Sequence, residues 1–202
     1  MFPLFLTFLI ASATSQFTQD DKNEIVDYHN NVRSLIALGL YKAGSQTFPP
    51  ATNMMKMNWS STLEQSAQNW ANGCKFQHSG TNGVGENLYM VYGSNQIPIR
   101  GQGKAASASW EKEFQDNGWP QVPYFDNTVF NSGIGHATQL AWGNSNQIGC
   151  GAAQCNGGKQ VIVVCQYTKP GNYLNQNAWA VGTRCAQCPI TSTCDPRLGL
   201  CQ

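Results

Sequence analysis

The sequence places a histidine directly after a glycine-rich turn, in Gly135-His136-Ala137-Thr138-Gln139-Leu140-Ala141-Trp142. Leu140 and Trp142 are the large apolar residues of a short predicted helix, and His136 lies in its first turn. The backbone N–H groups of that turn carry partial positive charge and disfavour protonation of the imidazole. A neutral imidazole can bind a metal ion or accept a proton. The alternative is that His136 only caps the helix.

A second histidine, His29, lies four residues before Arg33 in a helix that is predicted to begin after Thr18. Four apolar residues recur at helical spacing and predict the buried stripe of this helix: Ile25, Tyr28, Val32 and Leu35. Because His29 and Arg33 share one face, we expect them to anchor the helix to carboxylates or carbonyls of a neighbouring element. We interpret His29 as structural.

A carboxylate, Glu111, lies beside the apolar stripe of a helix predicted over residues 104–117. The stripe consists of Ala106, Trp110 and Phe114, which are four residues apart. Glu111 is one residue, about 100° around the helix axis, from this stripe. It therefore lies at the border of the buried face, where the wall of a cleft would be.

Composition limits the class of protein. The chain has 202 residues, a formal net charge of +1 and 11% charged residues. This length fits one domain with small appendages. Near-neutral charge weighs against a nucleic acid or an anionic membrane as partner, since both require a basic surface.

Residues 1–15 have the pattern of a secretory signal peptide. Their apolar segment ends at Ala11 and is too short to span a bilayer, and Ala13 and Ser15 supply the small residues of a cleavage site. No later stretch has the roughly 20 consecutive apolar residues of a membrane span. We therefore expect a secreted, extracellular protein with no transmembrane segment.

The eight cysteines of an exported chain predict disulfides before thiol chemistry. Residues 181–202 lack periodicity and contain four of them, which predicts a disulfide-rich tail. Cys185-x-x-Cys188 is also the spacing of a redox motif or of half a zinc knuckle, but export disfavours both. Asn58-Trp59-Ser60 is an N-glycosylation sequon, and its bulky middle residue leaves the occupancy open.

The remaining patterns predict one α+β domain over residues 16–180. Another amphipathic helix begins at Ser61-Thr62-Leu63-Glu64, which resembles a capping box, and ends by Gly73-Cys74. Three segments have strand character: residues 86–92, 147–154 and 160–168. Val161-Ile162-Val163-Val164 is apolar on both faces, so its strand should be central. Helices on both faces of a small antiparallel sheet make a three-layer α-β-α sandwich.

Four motifs occur together in an order that is specific for one family. They are His29-Asn30-x-x-Arg33, Gly85-Glu86-Asn87-Leu88, the stretch Gly135 to Trp142, and Cys165-Gln166-Tyr167-x-x-x-Gly171-Asn172-Tyr173. Together they resemble the CAP superfamily, which includes cysteine-rich secretory proteins, antigen-5 venom allergens and plant pathogenesis-related proteins. The short Cys-rich tail is most similar to the nematode branch, the activation-associated (Ancylostoma-type) secreted or venom-allergen-like proteins.

The resemblance implies a cleft formed by four residues from separate segments: His78, Glu86, Glu111 and His136. The two imidazoles would bind Zn²⁺ or another divalent cation, with no obligatory cofactor. The carboxylates would act as ligands, orient the ligands or activate a bound water. Five further residues belong to the structural motifs: His29, Asn30, Arg33, Asn87 and Gln139.

The resemblance also implies extracellular recognition or host and immune modulation, through an unknown protein receptor and with a lipid or sterol as a further candidate ligand. The alternative is metal-dependent hydrolysis, with Glu86 or Glu111 as the base. Catalytic zinc usually has three protein ligands and no His-Glu-x-x-His segment is present, so we favour a non-enzymatic function. A third interpretation is a polar cluster with only adventitious metal. The aromatic-rich segment 117–130 would either line an apolar pocket or, as we favour, cover the core.

The disulfide pairing is likewise implied by the resemblance. Within the domain it pairs Cys74 with Cys155 and Cys150 with Cys165. In the tail we expect Cys185–Cys194 and Cys188–Cys201, although four cysteines allow three pairings.

Overall fold

The computed structural model describes residues 17–202, so the predicted signal peptide lies outside the described residues. Two long strands, β6 (Gln147–Cys155) and β7 (Gln160–Thr168), pair antiparallel at the centre of the main sheet. β4 (Gly85–Tyr92) pairs antiparallel with the other edge of β7. The two-residue strand β3 (Asn58–Trp59) pairs parallel with β6 and was not predicted, because two residues carry no periodicity.

Successive residues of β7 pack into two different apolar clusters. Val161 and Val163 belong to the larger cluster, and Ile162 and Val164 to the smaller one. Because successive side chains of a strand point to opposite faces, both faces of the sheet are covered. The predicted central position of this strand is confirmed.

Helices form the two outer layers. α2 (Ser61–Ala71) packs on β6 and β7 on the face of the smaller cluster. α3 (Gln102–Asn117) contacts the sheet on the other face, and α1 (Gln19–Ala37) and α5 (Gly135–Ala141) pack against α3. The three-layer α+β architecture is thereby confirmed. Between residues 17 and 202, no helix has the length and apolar character that crossing a membrane requires.

Short elements complete the described part of the chain. They are β1 (Lys42–Ala43), β2 (Gln46–Thr47), β5 (Tyr124–Phe125), α4 (Asn127–Asn131), a 3₁₀ turn (Asn156–Gly158), β8 (Gln176–Asn177), β9 (Cys194–Asp195) and β10 (Leu200–Cys201). The last two strands pair within the tail.

Glycines allow α2 to approach the sheet closely. A Cβ atom at Gly149 would overlap the backbone of Leu63 and Glu64, and one at Gly151 would overlap the backbone of Gln68. Only glycine permits such an approach at these two positions of β6.

Four disulfides link the cysteines in the pairs that the resemblance implies. They are Cys74–Cys155, Cys150–Cys165, Cys185–Cys194 and Cys188–Cys201. The first attaches the end of α2 to β6, and the last two staple the tail. Three tail sulfurs, those of Cys185, Cys188 and Cys201, lie close together, but each is bonded to another sulfur and none is a thiolate that could bind zinc.

A buried polar anchor joins α1 to the end of α5. The guanidinium of Arg33 is fully buried and donates five hydrogen bonds of 2.8–3.0 Å to backbone carbonyls: those of Met55, Leu140, Trp142, Gly143 and Ser145. His29 is also buried, with Nδ1 2.8 Å from the carbonyl of Ile25 and Nε2 2.9 Å from the hydroxyl of Tyr167. The hydrogen-bond acceptors of the predicted anchor are backbone carbonyls and not carboxylates, and these contacts fix the position of α5.

Candidate functional site

A cleft of about 250 Å³ opens where β4, α3 and α5 meet. Two histidines and two glutamates line it: His78, Glu86, Glu113 and His136. His78 comes from the loop after α2, Glu86 from β4, Glu113 from α3 and His136 from the start of α5. His78 and Glu86 are eight residues apart, whereas Glu113 and His136 come from two later parts of the chain, so three regions of the sequence contribute to one hollow.

The first imidazole–carboxylate pair is His78 with Glu86. Nδ1 of His78 lies 3.0 Å from Oε1 of Glu86. The histidine side chain is 65% exposed whereas the glutamate side chain is 7% exposed. Glu86 also accepts hydrogen bonds from the backbone N–H of Ser79 (2.8 Å) and from Nε2 of Gln166 (2.9 Å), its partner across the β4–β7 ladder. Both oxygens of Glu86 are thus engaged.

These contacts keep Glu86 ionised. Burial alone would raise the pKa of Glu86, but the hydrogen bonds from His78, Gln166 and Ser79 outweigh burial and lower the pKa to about 2. The same hydrogen bond to Glu86 raises the pKa of His78 above its ordinary value, against the opposing effect of burial. An ionised carboxylate only accepts, so Nδ1 of His78 carries its hydrogen.

The second pair is His136 with Glu113. Nδ1 of His136 lies 2.6 Å from Oε1 of Glu113, and the backbone N–H groups of His136 and Ala137 each donate to Oε2 at 3.0 Å. The carboxylate therefore satisfies two backbone donors in the first turn of α5, where negative charge is favoured. The imidazole stacks on the buried indole of Trp110, with ring centroids 6.1 Å apart.

The predicted position of Glu111 in the cleft is wrong. Its carboxylate instead accepts a hydrogen bond from the hydroxyl of Tyr41 and lies 3.5 Å from the hydroxyl of Tyr28. Glu113 lines the cleft instead. Residues two apart on a helix point about 200° apart, so the two glutamates cannot both face the cleft. The two glutamates flank opposite sides of the stripe through Trp110 and Phe114. The apolar stripe is the only local sequence signal for the orientation of these two glutamates, and it does not indicate which of its two sides faces the cleft.

The remaining motif residues hold the main chain around the cleft. Asn87 donates to the carbonyl of His136 at 3.0 Å, and Gln139 accepts from the backbone N–H of Gly171 at 2.8 Å. Asn30 exchanges two hydrogen bonds with the backbone of Met57, at 2.7 and 2.9 Å. The side-chain amides of all three are engaged with the backbone, and of the three only Asn87 lines the cleft.

Gln166 belongs to the fourth family motif, but the sequence alone assigns it no role. It is fully buried and donates to Glu86, yet its Oε1 is, within residues 17–202, the buried side-chain polar atom left without a hydrogen-bond partner. Rotating the amide would point this oxygen at an ionised carboxylate. The orientation of Gln166 is therefore set by Glu86, at the cost of one unsatisfied acceptor.

The aromatic-rich segment 117–130 belongs mainly to the core. Trp119 and Phe125 are 1% and 0% exposed, and Trp119 stacks on Phe114. Phe130, by contrast, is 60% exposed and lines the cleft. The segment thus covers the core, as favoured, and contributes one exposed ring to the cleft.

Each histidine of the cleft has one ring nitrogen held by a carboxylate. Each Nδ1 is held by a carboxylate, so Nε2 is the ring nitrogen that a metal could take. In the part of the chain that the structure describes, the tail sulfurs form the only group of three or more His, Cys, Asp or Glu donors within 4.8 Å of one another. The cleft residues therefore do not form a group of three donors that compact, and the cleft offers the Nε2 atoms of two histidines.

Comparison with known proteins identifies the family. Residues 26–167 match the family described as "CAP: Cysteine-rich secretory protein family". Cysteine-rich secretory protein 3 of Equus caballus is 36% identical over 201 residues, covering 94% of this chain and 72% of that protein. Ancylostoma secreted protein of Ancylostoma caninum is 32% identical over 195 residues, covering 91% of this chain and 44% of that protein.

Two solved structures share the fold closely. The structure of BmVAL-1 superposes with a TM-score of 0.86 at 34% identity, covering 93% of this chain and 96% of that chain. NaASP2, solved with Zn²⁺, gives a TM-score of 0.84 at 30% identity and covers 93% and 97%. The venom-allergen-like resemblance is confirmed. With its motifs, its three layers and its paired histidines and glutamates, this chain belongs to the CAP family of cysteine-rich secretory proteins.

Proposed function

We propose that this chain is an extracellular, non-enzymatic recognition protein whose cleft binds a divalent cation. His78 and His136 would hold the cation, and a group from the recognised partner would complete its coordination. The observation that carries the proposal is the pairing of each Nδ1 with a carboxylate, at 3.0 Å for His78 and 2.6 Å for His136. Metal-binding histidines are held in this way in carboxylate–histidine–zinc sites.

Zn²⁺ is the ion we propose first. Two neutral imidazoles are good ligands for it, and the related protein NaASP2 was solved with Zn²⁺. Glu86 is ionised over the whole physiological pH range, because its pKa is lowered to about 2. That negative charge favours a bound cation.

The contacts of the carboxylates favour binding over hydrolysis. A general base needs a pKa near the working pH and a free oxygen directed at a water molecule. Glu86 has a pKa of about 2 and accepts three hydrogen bonds, and both oxygens of Glu113 accept hydrogen bonds as well. Glu86 lacks the pKa of a base that activates water, and the oxygens of both carboxylates already accept hydrogen bonds, so hydrolysis remains the second choice.

The partner we propose is an extracellular protein, in a setting of host or immune modulation. The formal net charge of +1 does not provide the basic surface that nucleic acid requires. Four disulfides suit an oxidising extracellular environment.

The cation site is tested by zinc titration calorimetry on the secreted protein. We expect His78→Ala and His136→Ala each to lower zinc affinity by roughly 100-fold or more, since direct ligands exceed the 10–100-fold effect of the residues that orient them. Unchanged affinity in the double variant would remove the cation from the proposal.

The non-enzymatic assignment has its own test. A broad panel of peptides and esters is incubated with the zinc-loaded wild type, and we expect no turnover. Metal-dependent turnover that Glu86→Gln or Glu113→Gln abolishes, with zinc still bound, would establish the hydrolase instead.

A further inference from the structure

A second hollow of about 470 Å³ lies between α1 and the strand β3, and it shares no residue with the cleft. α1 contributes Asn23, Val26 and Asp27 to its wall. The opposite wall comes from the segment 56–59, which includes Asn58 and Trp59. We call this hollow, with its walls from residues 23–30 and 56–59, the α1–β3 groove.

The groove contains the acceptor of an N-glycosylation sequon. Asn58-Trp59-Ser60 is the one Asn-x-Ser/Thr sequence, with x other than proline, in the 202 residues. Asn58 is exposed, and its Nδ2 lies 3.3 Å from the carbonyl of Lys56. Its backbone N–H pairs with the carbonyl of Asn146, so the strand holds the residue while the side chain stays outside the sheet. The acceptor nitrogen is therefore available at the surface.

The bulky middle residue of the sequon is folded away from the acceptor. The indole N–H of Trp59 donates to Oε2 of Glu64 at 2.7 Å, and Nζ of Lys22 lies 5.7 Å from the centre of its ring. Ser60 has a separate structural function, because its hydroxyl accepts from the backbone N–H of Leu63 and caps α2. The folded protein thus accommodates all three sequon residues without blocking Asn58.

We propose that Asn58 carries an N-linked glycan whose first sugars lie in the α1–β3 groove. The donor is an oligosaccharide linked through a diphosphate to a lipid carrier, and the transfer takes place on the secretory route before folding. The bond from C1 of the first sugar to Nδ2 of Asn58 forms while the bond from C1 to the diphosphate oxygen breaks. The lipid diphosphate leaves, and the amide loses one proton. In the folded glycoprotein, the remaining amide hydrogen of Asn58 can donate to the Lys56 carbonyl.

The chemistry of the groove fits an acetylated sugar. Asp27 is exposed and can accept hydrogen bonds from sugar hydroxyls, while Val26 and Trp59 offer half-buried apolar surface to the acetyl methyl group and the sugar ring. Asn30 is occupied by the backbone of Met57 and forms part of the rigid floor. A glycan attached at Asn58 on one wall faces Val26 and Asp27 on the other.

Attachment is tested by secreting the protein from a eukaryotic host and mapping residues 56–64 by mass spectrometry before and after peptide N-glycosidase. Wild type and Ser60→Thr should carry the glycan, whereas Asn58→Gln and Ser60→Asp should lack it. Ser60→Asp is the matched control, because aspartate keeps the cap of α2 and destroys the sequon. An unmodified Asn58 in secreted wild type and Ser60→Thr would overturn the proposal.

Residence in the groove is tested by the rate at which the glycosidase removes the glycan. We expect release from the folded protein to be about tenfold slower than from the reduced, unfolded chain, which corresponds to roughly 1.4 kcal/mol of protection. Asp27→Asn should accelerate release from the folded protein, and Asp20→Asn on the same helix should not. Equal rates for folded and unfolded wild type would show that the sugars lie outside the groove.

Discussion

The buried anchor and the cleft use histidine in opposite ways. In the anchor, His29 is fully buried and contacts a backbone carbonyl and the hydroxyl of Tyr167. Burial lowers its pKa to about 4, so the imidazole is neutral and serves the core. In the cleft, His78 is mostly exposed, and Glu86 raises its pKa.

The hydrogen-bond partners of each imidazole therefore determine whether the histidine can bind a ligand. A carbonyl and a hydroxyl occupy both ring nitrogens of His29 and leave nothing for a ligand. In the cleft, carboxylates hold Nδ1 of His78 and of His136, which leaves Nε2 of each ring for a ligand. We expect changes in the anchor to alter stability and changes in the cleft to alter affinity for a cation.

The largest effect should follow Arg33→Met in the anchor. Loss of the guanidinium leaves buried carbonyls without donors, and we expect the free energy of unfolding to fall by about 4 kcal/mol. Guanidinium chloride denaturation with the disulfides intact measures this change. Arg33→Lys keeps the charge but has fewer donors, and should lose less stability. A loss below about 1 kcal/mol in Arg33→Met would show that the anchor does not hold the helices.

A somewhat smaller effect is the pH dependence that His29 imposes. Its pKa is about 4 in the folded protein and near 6.5 when unfolded, so below pH 6.5 the unfolded state binds more protons. The stability it contributes is complete above pH 6.5, declines as the pH falls, and is lost below about pH 4. The full difference amounts to about 3 kcal/mol.

Denaturation at a series of pH values, compared with His29→Gln, isolates this contribution. His78 acts with the opposite sign, because its raised pKa gives stability that is present below pH 6.5 and is lost as the pH rises through the folded value. Parallel pH profiles for wild type and His29→Gln between pH 4 and 6.5 would contradict a neutral, buried His29.

The two glutamates of α3, Glu111 and Glu113, give a matched comparison for the cleft. Glu113→Gln should lower zinc affinity by about 10–100-fold, because Glu113 orients His136. Glu111→Gln is the same chemical change two residues away, and should leave zinc affinity unchanged while it weakens the contact with Tyr41. Titration calorimetry on both variants decides the matter, and equal losses of affinity would mean that Glu111 also serves the cleft.

The smallest effect should come from Gln166→Met. The change removes the amide donor to Glu86 but also the unsatisfied oxygen, so we expect stability to change by less than about 1 kcal/mol. The pKa of Glu86 should rise from about 2 towards its ordinary value, because one of its hydrogen bonds is lost. NMR titration of the Glu86 carboxyl measures this, and an unchanged pKa would show that His78 and Ser79 suffice.

Much of the fold was predictable because its signals are local. The cap at Thr18, the stripe of α1 and the doubly apolar run Val161–Val164 each depend on neighbours in the sequence. The parallel strand β3 was not predictable, because two residues show no pattern and their partner β6 lies far along the chain. The site was predictable in three of its four cleft residues, and only through the combined family motifs.

The sequence by itself determined the elements, the cysteines available for pairing and the residue types that a cation site requires. Only the tertiary structure decided that Glu113 and not Glu111 faces His136. Both glutamates border the same apolar stripe, and the choice depends on which side of α3 meets α5 and which meets Tyr41. Packing between helices makes that choice, and the pattern along a single helix contains no information about its neighbours.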